Sequence, residues 1–74
     1  MRIESTGMYT TRSSASAEVF ALRGANCIGY IIQFDEVKKP AVWLVKDGTS
    51  IGGSVHEDLI QFVRRTPPRG KQPE

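Results

Sequence analysis

Short runs of apolar side chains separated by turn residues recur along the first fifty positions, a pattern that predicts strands. Residues 2–11 carry few large apolar side chains (Ile3, Met8 and Tyr9), so they read as a weak strand with Gly7 as a bulge point, against a frayed terminus. Residues 15–23 alternate Ala15, Ala17, Val19 and Ala21 on one face with Ser16, Glu18, Phe20 and Leu22 on the other. Alanine, glutamate and leucine also suit a helix. The turn residues Gly24-Ala25-Asn26 lead straight into another apolar run and favour the strand. That run, residues 27–34, is β-branched and aromatic. It places Ile28, Tyr30, Ile32 and Phe34 on one face, and Cys27, Gly29, Ile31 and Gln33 on the other. Residues 35–40 form a charged loop, with Pro40 holding the chain extended before it.

Residues 41–46 predict a strand that is apolar on both faces. Asp47-Gly48 is a two-residue hairpin signal, because a type I′ turn needs positive φ at both central positions. Residues 49–51 return as a short strand and Gly52-Gly53 breaks it. A helix is then expected from Ser54 to Thr66. Ser54 and Glu57 have capping-box spacing, and Glu57 and Asp58 suit the positive end of the helix dipole. Val55, Leu59, Ile60, Phe62 and Val63 form an apolar stripe, Arg64 and Arg65 suit the C-terminal end, and Pro67-Pro68 stops the helix.

These elements predict an α+β fold, a small antiparallel β-meander of about three to five strands with one C-terminal helix. The helix stripe would cover Ile28, Tyr30, Ile32, Phe34, Val42 and Leu44. Trp43, Val45, Ile31 and Cys27 would then lie on the opposite face, either buried by a sheet curled into a small barrel or left open. Residues 1–66 read as a single domain, and residues 67–74 as a disordered basic, proline-rich tail.

Length limits the core. A chain of 74 residues buries only about 60% of the surface its unfolded form exposes, so its stability is a few kcal/mol. With Cys27 its sole cysteine it cannot form an internal disulfide, and with His56 its sole histidine a zinc site lacks ligands. No metal and no cofactor is expected. No apolar run approaches the roughly 20 residues of a membrane span, so no membrane is expected either. The lone thiol and the polar N-terminus fit a cytoplasmic protein. The formal charge of +2 is uneven. Residues 1–63 are one charge negative and residues 64–74 three positive, so the basic character lies in the tail.

Each candidate for chemistry has a plainer alternative. His56, Glu57 and Asp58 are consecutive at a helix start, so their side chains fan apart, and the i, i+4 histidine pair of a zinc helix is missing. Cys27 would be a nucleophile only beside a base and an oxyanion hole, and an inert buried thiol is the stronger reading. The Gly-rich stretch 48–54 enters a helix N-terminus but lacks the phosphate-loop lysine, so hairpin plus cap explains it. Arg64, Arg65, Arg69 and Lys71 could bind nucleic acid, although no aromatic residues are interleaved for base stacking. Trp43 belongs either to the core or, with Ile31 and Val45, to an interface where tryptophan would anchor a contact. No catalytic constellation is present in the pattern.

The segment Trp43 to Ile60 runs Trp-x₃-Asp-Gly, a Gly/Ser-rich stretch, then Asp58-Leu59-Ile60. It resembles small proteins encoded by phages and other mobile elements, which often place a Trp strand, an Asp-Gly or Asn-Gly turn and an Asp-Leu-[Ile/Val] helix in that order. The resemblance covers 18 of the 74 residues, implies no substrate and carries over no catalytic residue. It implies a small accessory protein that binds a host or phage component. The expected function is therefore a non-enzymatic binding protein that contacts a protein partner or forms a homo-oligomer such as a dimer. The alternative is nucleic-acid binding through the basic end and tail.

Overall fold

A computed structural model describes residues 1–33 and 36–66. Five antiparallel strands form one sheet: β1 (Gly7–Thr11), β2 (Ser16–Arg23), β3 (Asn26–Ile32), β4 (Lys38–Leu44) and β5 (Leu59–Arg65), in the spatial order β4-β3-β2-β1-β5. The first four make a meander. β5 crosses back to pair with β1, after a single 3₁₀ turn at Val55–Glu57.

The β2–β3 hairpin is a two-residue loop between the paired Arg23 and Asn26, with Gly24 supplying the positive φ of 63° that a side chain resists. Phe20 is an extra residue in β2, because Val19 pairs with Gly29 and Ala21 with Ile28. The bulge reverses the alternation of β2 at that point. Ala17 and Val19 face inward before it, and Ala21 is across from the outward Ile28 after it.

The sheet buries one face by rolling over it. Ile3, Tyr9, Ala17, Val19, Cys27, Ile31, Trp43 and Leu59 form the core, each 5% exposed or less. Hydrogen bonds close the roll where β4 ends. Ile3 N–H donates to the Val45 carbonyl (2.8 Å), Leu59 N–H to the Gly48 carbonyl (2.9 Å), and Ser50 N–H to Asp58 Oδ1 (2.9 Å). Buried backbone groups need such partners, and here they tie the N-terminal segment, the β4–β5 connection and the start of β5 together.

The expected C-terminal helix is absent, and the α+β class gives way to an antiparallel β-sheet. The cap itself forms, with Ser54 Oγ accepting from His56 N–H at 3.3 Å. It starts one turn only. Glu57 sends its carboxylate to Lys39 Nζ (2.5 Å), and Asp58 is already extended at φ −62°, ψ 141°. From Leu59 the chain pairs with β1, whose outer edge would otherwise leave backbone groups unpaired. Ile60, Phe62 and Val63 are good strand formers, so local preference opposes this only weakly. Of the expected stripe, Leu59 is buried, while Val55, Ile60, Phe62 and Val63 are exposed.

Smaller differences follow from the same closure. The Asp47-Gly48 turn is not type I′, since only Gly48 has positive φ (77°). The loop is longer, closed by Gly48 N–H to the Leu44 carbonyl and Leu44 N–H to the Thr49 carbonyl. The short strand expected at 49–51 shrinks to one bridge between Ser50 and Trp43. β1 spans only Gly7–Thr11, and β4 begins earlier than expected, at Lys38. The expected roles of Phe34 and of the tail 67–74 fall outside the described residues.

Candidate functional site

The register of the sheet places one row of residues across its outer face: Arg64, Met8, Glu18, Tyr30 and Pro40, from β5 to β4. Around the β2–β4 part of that row lies an apolar groove of about 420 Å³, lined by Phe20, Ile28, Tyr30, Pro40, Val42 and Ile51, with Lys38 at its rim. Phe20, the extra residue of β2, lies beside Tyr30, with ring centroids 6.1 Å apart and planes inclined at 41°. Lys38 Nζ lies 4.8 Å from the Tyr30 ring centroid, close enough for a cation–π contact. Next to Tyr30 in the row, Glu18 is 4% exposed and accepts a 2.5 Å hydrogen bond from the Tyr30 hydroxyl. The carboxylate thus fixes the ring from the neighbouring strand and leaves its apolar body in the groove.

This is the face the expected helix was to cover, and no described element covers it. The face carrying Trp43 is the interior. Trp43 is fully buried and its indole N–H donates to the Glu57 carbonyl at 2.8 Å; Ile31 is buried and Val45 packs half-buried against the core. One signal in the chain distinguishes the two faces. Cys27 and Gly29 in β3 share their face with Ala17 of β2 and Ala41 of β4, and small side chains suit the crowded inside of a tightly rolled sheet.

The other candidates are dispersed. Glu57 is ion-paired with Lys39, and Asp58 lies 3.9 Å from Arg12 while accepting from Ser50 N–H. Both acids tie the 3₁₀ turn to the sheet. Among the described residues no group of three or more His, Cys, Asp or Glu side chains could hold a metal ion. In the Gly-rich loop, a Cβ on Gly53 would collide with the Glu57 carboxylate and the Ser50 hydroxyl, so side chains fill the space an anion would need. Arg64 and Arg65 are exposed on β5, whereas Arg69 and Lys71 lie outside the described residues. No helix among the described residues is long and apolar enough to cross a membrane.

A smaller cleft of about 260 Å³ opens where β1 meets β5, lined by Met1, Arg2, Glu4, Tyr9, Phe62 and Arg65. The Phe62 ring packs edge-on against Tyr9, with centroids 5.3 Å apart. The Tyr9 hydroxyl donates to the Ser5 carbonyl at 2.7 Å. Burial raises the Tyr9 phenol above its ordinary pKa, against the lowering effect of its hydrogen bonds at Ser5.

Cys27 is buried and burial pushes its thiol up to about 11, against the smaller lowering effect of a backbone hydrogen bond from Trp43. A thiol held neutral in the core is a poor nucleophile. The raised value also predicts a pH effect. Both folded and unfolded chains keep the proton below the ordinary thiol value of 9.0, so this contribution to stability is complete there; it is lost as pH rises through the folded value of about 11. Urea midpoints are therefore expected to fall between pH 9 and pH 11, and to fall less in Cys27→Ala. An equal fall in the variant would assign the loss to Tyr9 and other groups instead.

Comparison with models of protein families, with curated proteins and with solved structures found no match to this chain.

Proposed function

We infer that this chain is a non-enzymatic binding module and that it contacts a protein partner through the outer face of β2–β4. The observation that carries this reading is the groove itself. Phe20, Ile28, Tyr30 and Val42 stand together on a face that no described element covers. These four side chains are half-buried against one another with Ile51 exposed beside them, and a contiguous apolar groove of this kind marks an interaction site. Aromatic side chains held rigid, as Tyr30 is by Glu18, give contact area at low entropic cost. The resemblance of residues 43–60 to mobile-element proteins points toward an accessory role, although Asp47-Gly48 lies in a longer loop and Asp58-Leu59-Ile60 leads into a strand. The free thiol Cys27 fits a reducing, cytoplasmic setting.

Val42→Lys puts a charge into the groove while leaving the core untouched. Proteins captured from a host extract by the wild-type chain are expected to be lost with this variant, while Trp43 emission and the melting temperature stay unchanged. Unchanged capture would overturn the outer face as the contact surface.

A second reading, nucleic-acid binding, draws on the alignment of Arg64 with Tyr30 on the same row and on Lys38 beside that ring. Arg64 lies three strands from Tyr30, so the stacking platform of this reading is the ring with its neighbouring Lys38. Affinity for a single-stranded oligonucleotide that falls steeply with salt and is lost in Tyr30→Ala would favour it, and absence of binding at low salt would remove it.

A further inference from the structure

β5 breaks the two-residue period of a strand. In a regular strand, residues three apart point to opposite faces. Ile60 and Val63 are extra residues in the pairing of β5 with β1, so Leu59, Phe62 and Arg65 stand opposite Thr11, Tyr9 and Gly7. Residues directly opposite share a face, and Thr11, Tyr9 and Gly7 are the buried side of β1. Two bulges thus turn three side chains, at intervals of three, toward the inside of the roll. Bulges re-aim side chains in this way and are over-represented beside functional sites. Leu59 fills the core, whereas Phe62 and Arg65 are exposed and line the cleft between β1 and β5. Arg64 stands opposite Met8 and faces the other way.

The facing wall of the cleft is the N-terminal segment. Ile3 is buried and its N–H donates to the Val45 carbonyl, which holds Arg2 and Glu4 in that wall. Tyr9 forms the floor. A Cβ at Gly7 would lie 3.1 Å from Phe62 Cε1, so the bare glycine leaves room for the Phe62 ring. The charges of the cleft are unspent. Among the described residues neither Arg2 nor Arg65 forms an ion pair, and neither does Glu4 beside them. Two guanidinium groups against one carboxylate leave the cleft cationic, and the guanidinium fork matches phosphate oxygens. Phe62 offers an open ring surface on which a planar group can stack. Glu4 repels a bare anion and accepts from a ligand that also carries N–H donors. At about 260 Å³ the cleft is small for a ligand pocket, so it holds one compact group and not a length of chain.

We propose that this cleft binds one nucleotide with an amino-bearing base, its phosphate held by Arg2 and Arg65, its base on Phe62 and its N–H groups toward Glu4. A free nucleoside monophosphate and the phosphorylated end of a single strand present the same chemistry. The site shares no residue with the outer groove, so a partner there and a nucleotide here do not compete.

The test is titration of the full chain with adenosine monophosphate, followed by amide NMR. Shifts are expected at Tyr9, Phe62 and Arg65, and not at Tyr30 or Val42. Arg65→Gln is expected to weaken binding about tenfold or more, and Arg64→Gln, on the other face, to leave it unchanged. Both arginines are exposed, so the melting temperature of each variant stays constant. Adenosine and inorganic phosphate are each expected to bind far more weakly than the nucleotide. Phenyl phosphate has the ring and the phosphate without N–H donors, and is expected to bind several-fold more weakly. Equal binding of phenyl phosphate would overturn the nucleotide and point to a phosphorylated tyrosine. An oligonucleotide with a phosphorylated end that outcompetes the nucleotide identifies a strand end as the source, and one that binds more weakly identifies the free nucleotide; either agrees with the proposal. No binding at millimolar nucleotide, equal losses in the two arginine variants, or shifts confined to the outer face would overturn it.

Discussion

Replacing Trp43 by alanine is expected to leave the chain largely unfolded at room temperature. Trp43 is the largest of the fully buried side chains, and it sits where β3, β4 and the 3₁₀ turn meet. Truncating a buried tryptophan costs about 3–5 kcal/mol in lost transfer energy and cavity formation. A domain of this size has a total stability of about the same size. The two quantities nearly cancel, so the folded fraction collapses instead of merely falling. Far-UV circular dichroism and amide NMR dispersion report the result without needing the indole. Trp43→Phe separates the two parts of the effect. It keeps most of the ring but leaves the Glu57 carbonyl without its donor, which costs about 1–3 kcal/mol. That variant should fold with a lowered urea midpoint. A folded Trp43→Ala chain of near wild-type stability would contradict the placement of this residue at the centre of the core.

Gly29→Ala is expected to be the most damaging small substitution in the sheet. A Cβ at Gly29 would lie 1.8 Å from the Glu18 carbonyl oxygen and 2.9 Å from the Val19 Cα. These are backbone atoms of the neighbouring strand, so no rotamer change can make room. The strands would have to part beside the Phe20 bulge, where their pairing is already interrupted. Overpacking costs about 1–3 kcal/mol when side chains can adjust, and more when they cannot. The expected loss is about 3 kcal/mol or greater, read as a urea midpoint or as failure to accumulate soluble protein. Gly52→Asn is the control. Gly52 also has an unusual backbone, with φ 79°, but nothing lies within 4 Å of its Cβ direction, and asparagine tolerates that conformation. Its cost is expected to stay under about 1 kcal/mol.

Much of the sheet is legible in the alternation of residues 15–34, because a strand that is half buried writes its period into the side chains. The candidate site is less so. Ile28, Tyr30 and Val42 are readable as one face, yet their placement outside depends on what covers them. A helix would have put them in the core. Phe20 shares the face of Glu18 by its alternation and so belongs with them, but the bulge there, which turns Ala21 toward the same side opposite Ile28, is announced by neither Val19 nor Ala21. The cleft between β1 and β5 could not be recognised while residues 54–66 read as a helix, since the same apolar residues then had a stripe to belong to.

By itself, the sequence determines local features whose cause is local: the Gly24 hairpin, the β-branched run of β3, the Ser54 cap, the inability to form an internal disulfide and the basic end of the chain. Only the tertiary structure decided the state of residues 59–65 and which sheet face is inside. Both decisions rest on long-range pairing. The free edge of β1 recruits Leu59–Arg65 into a strand because that pairing supplies a ladder of hydrogen bonds, buries Leu59 and sets Phe62 against Tyr9, which outweighs the weak helix preference of seven residues. Once β5 is drawn in, no helix remains to cover a face, and the sheet must roll to bury one. It rolls toward the side with Trp43 and the small residues Cys27, Gly29 and Ala17, since only small neighbours let the backbone curve that tightly around a large ring.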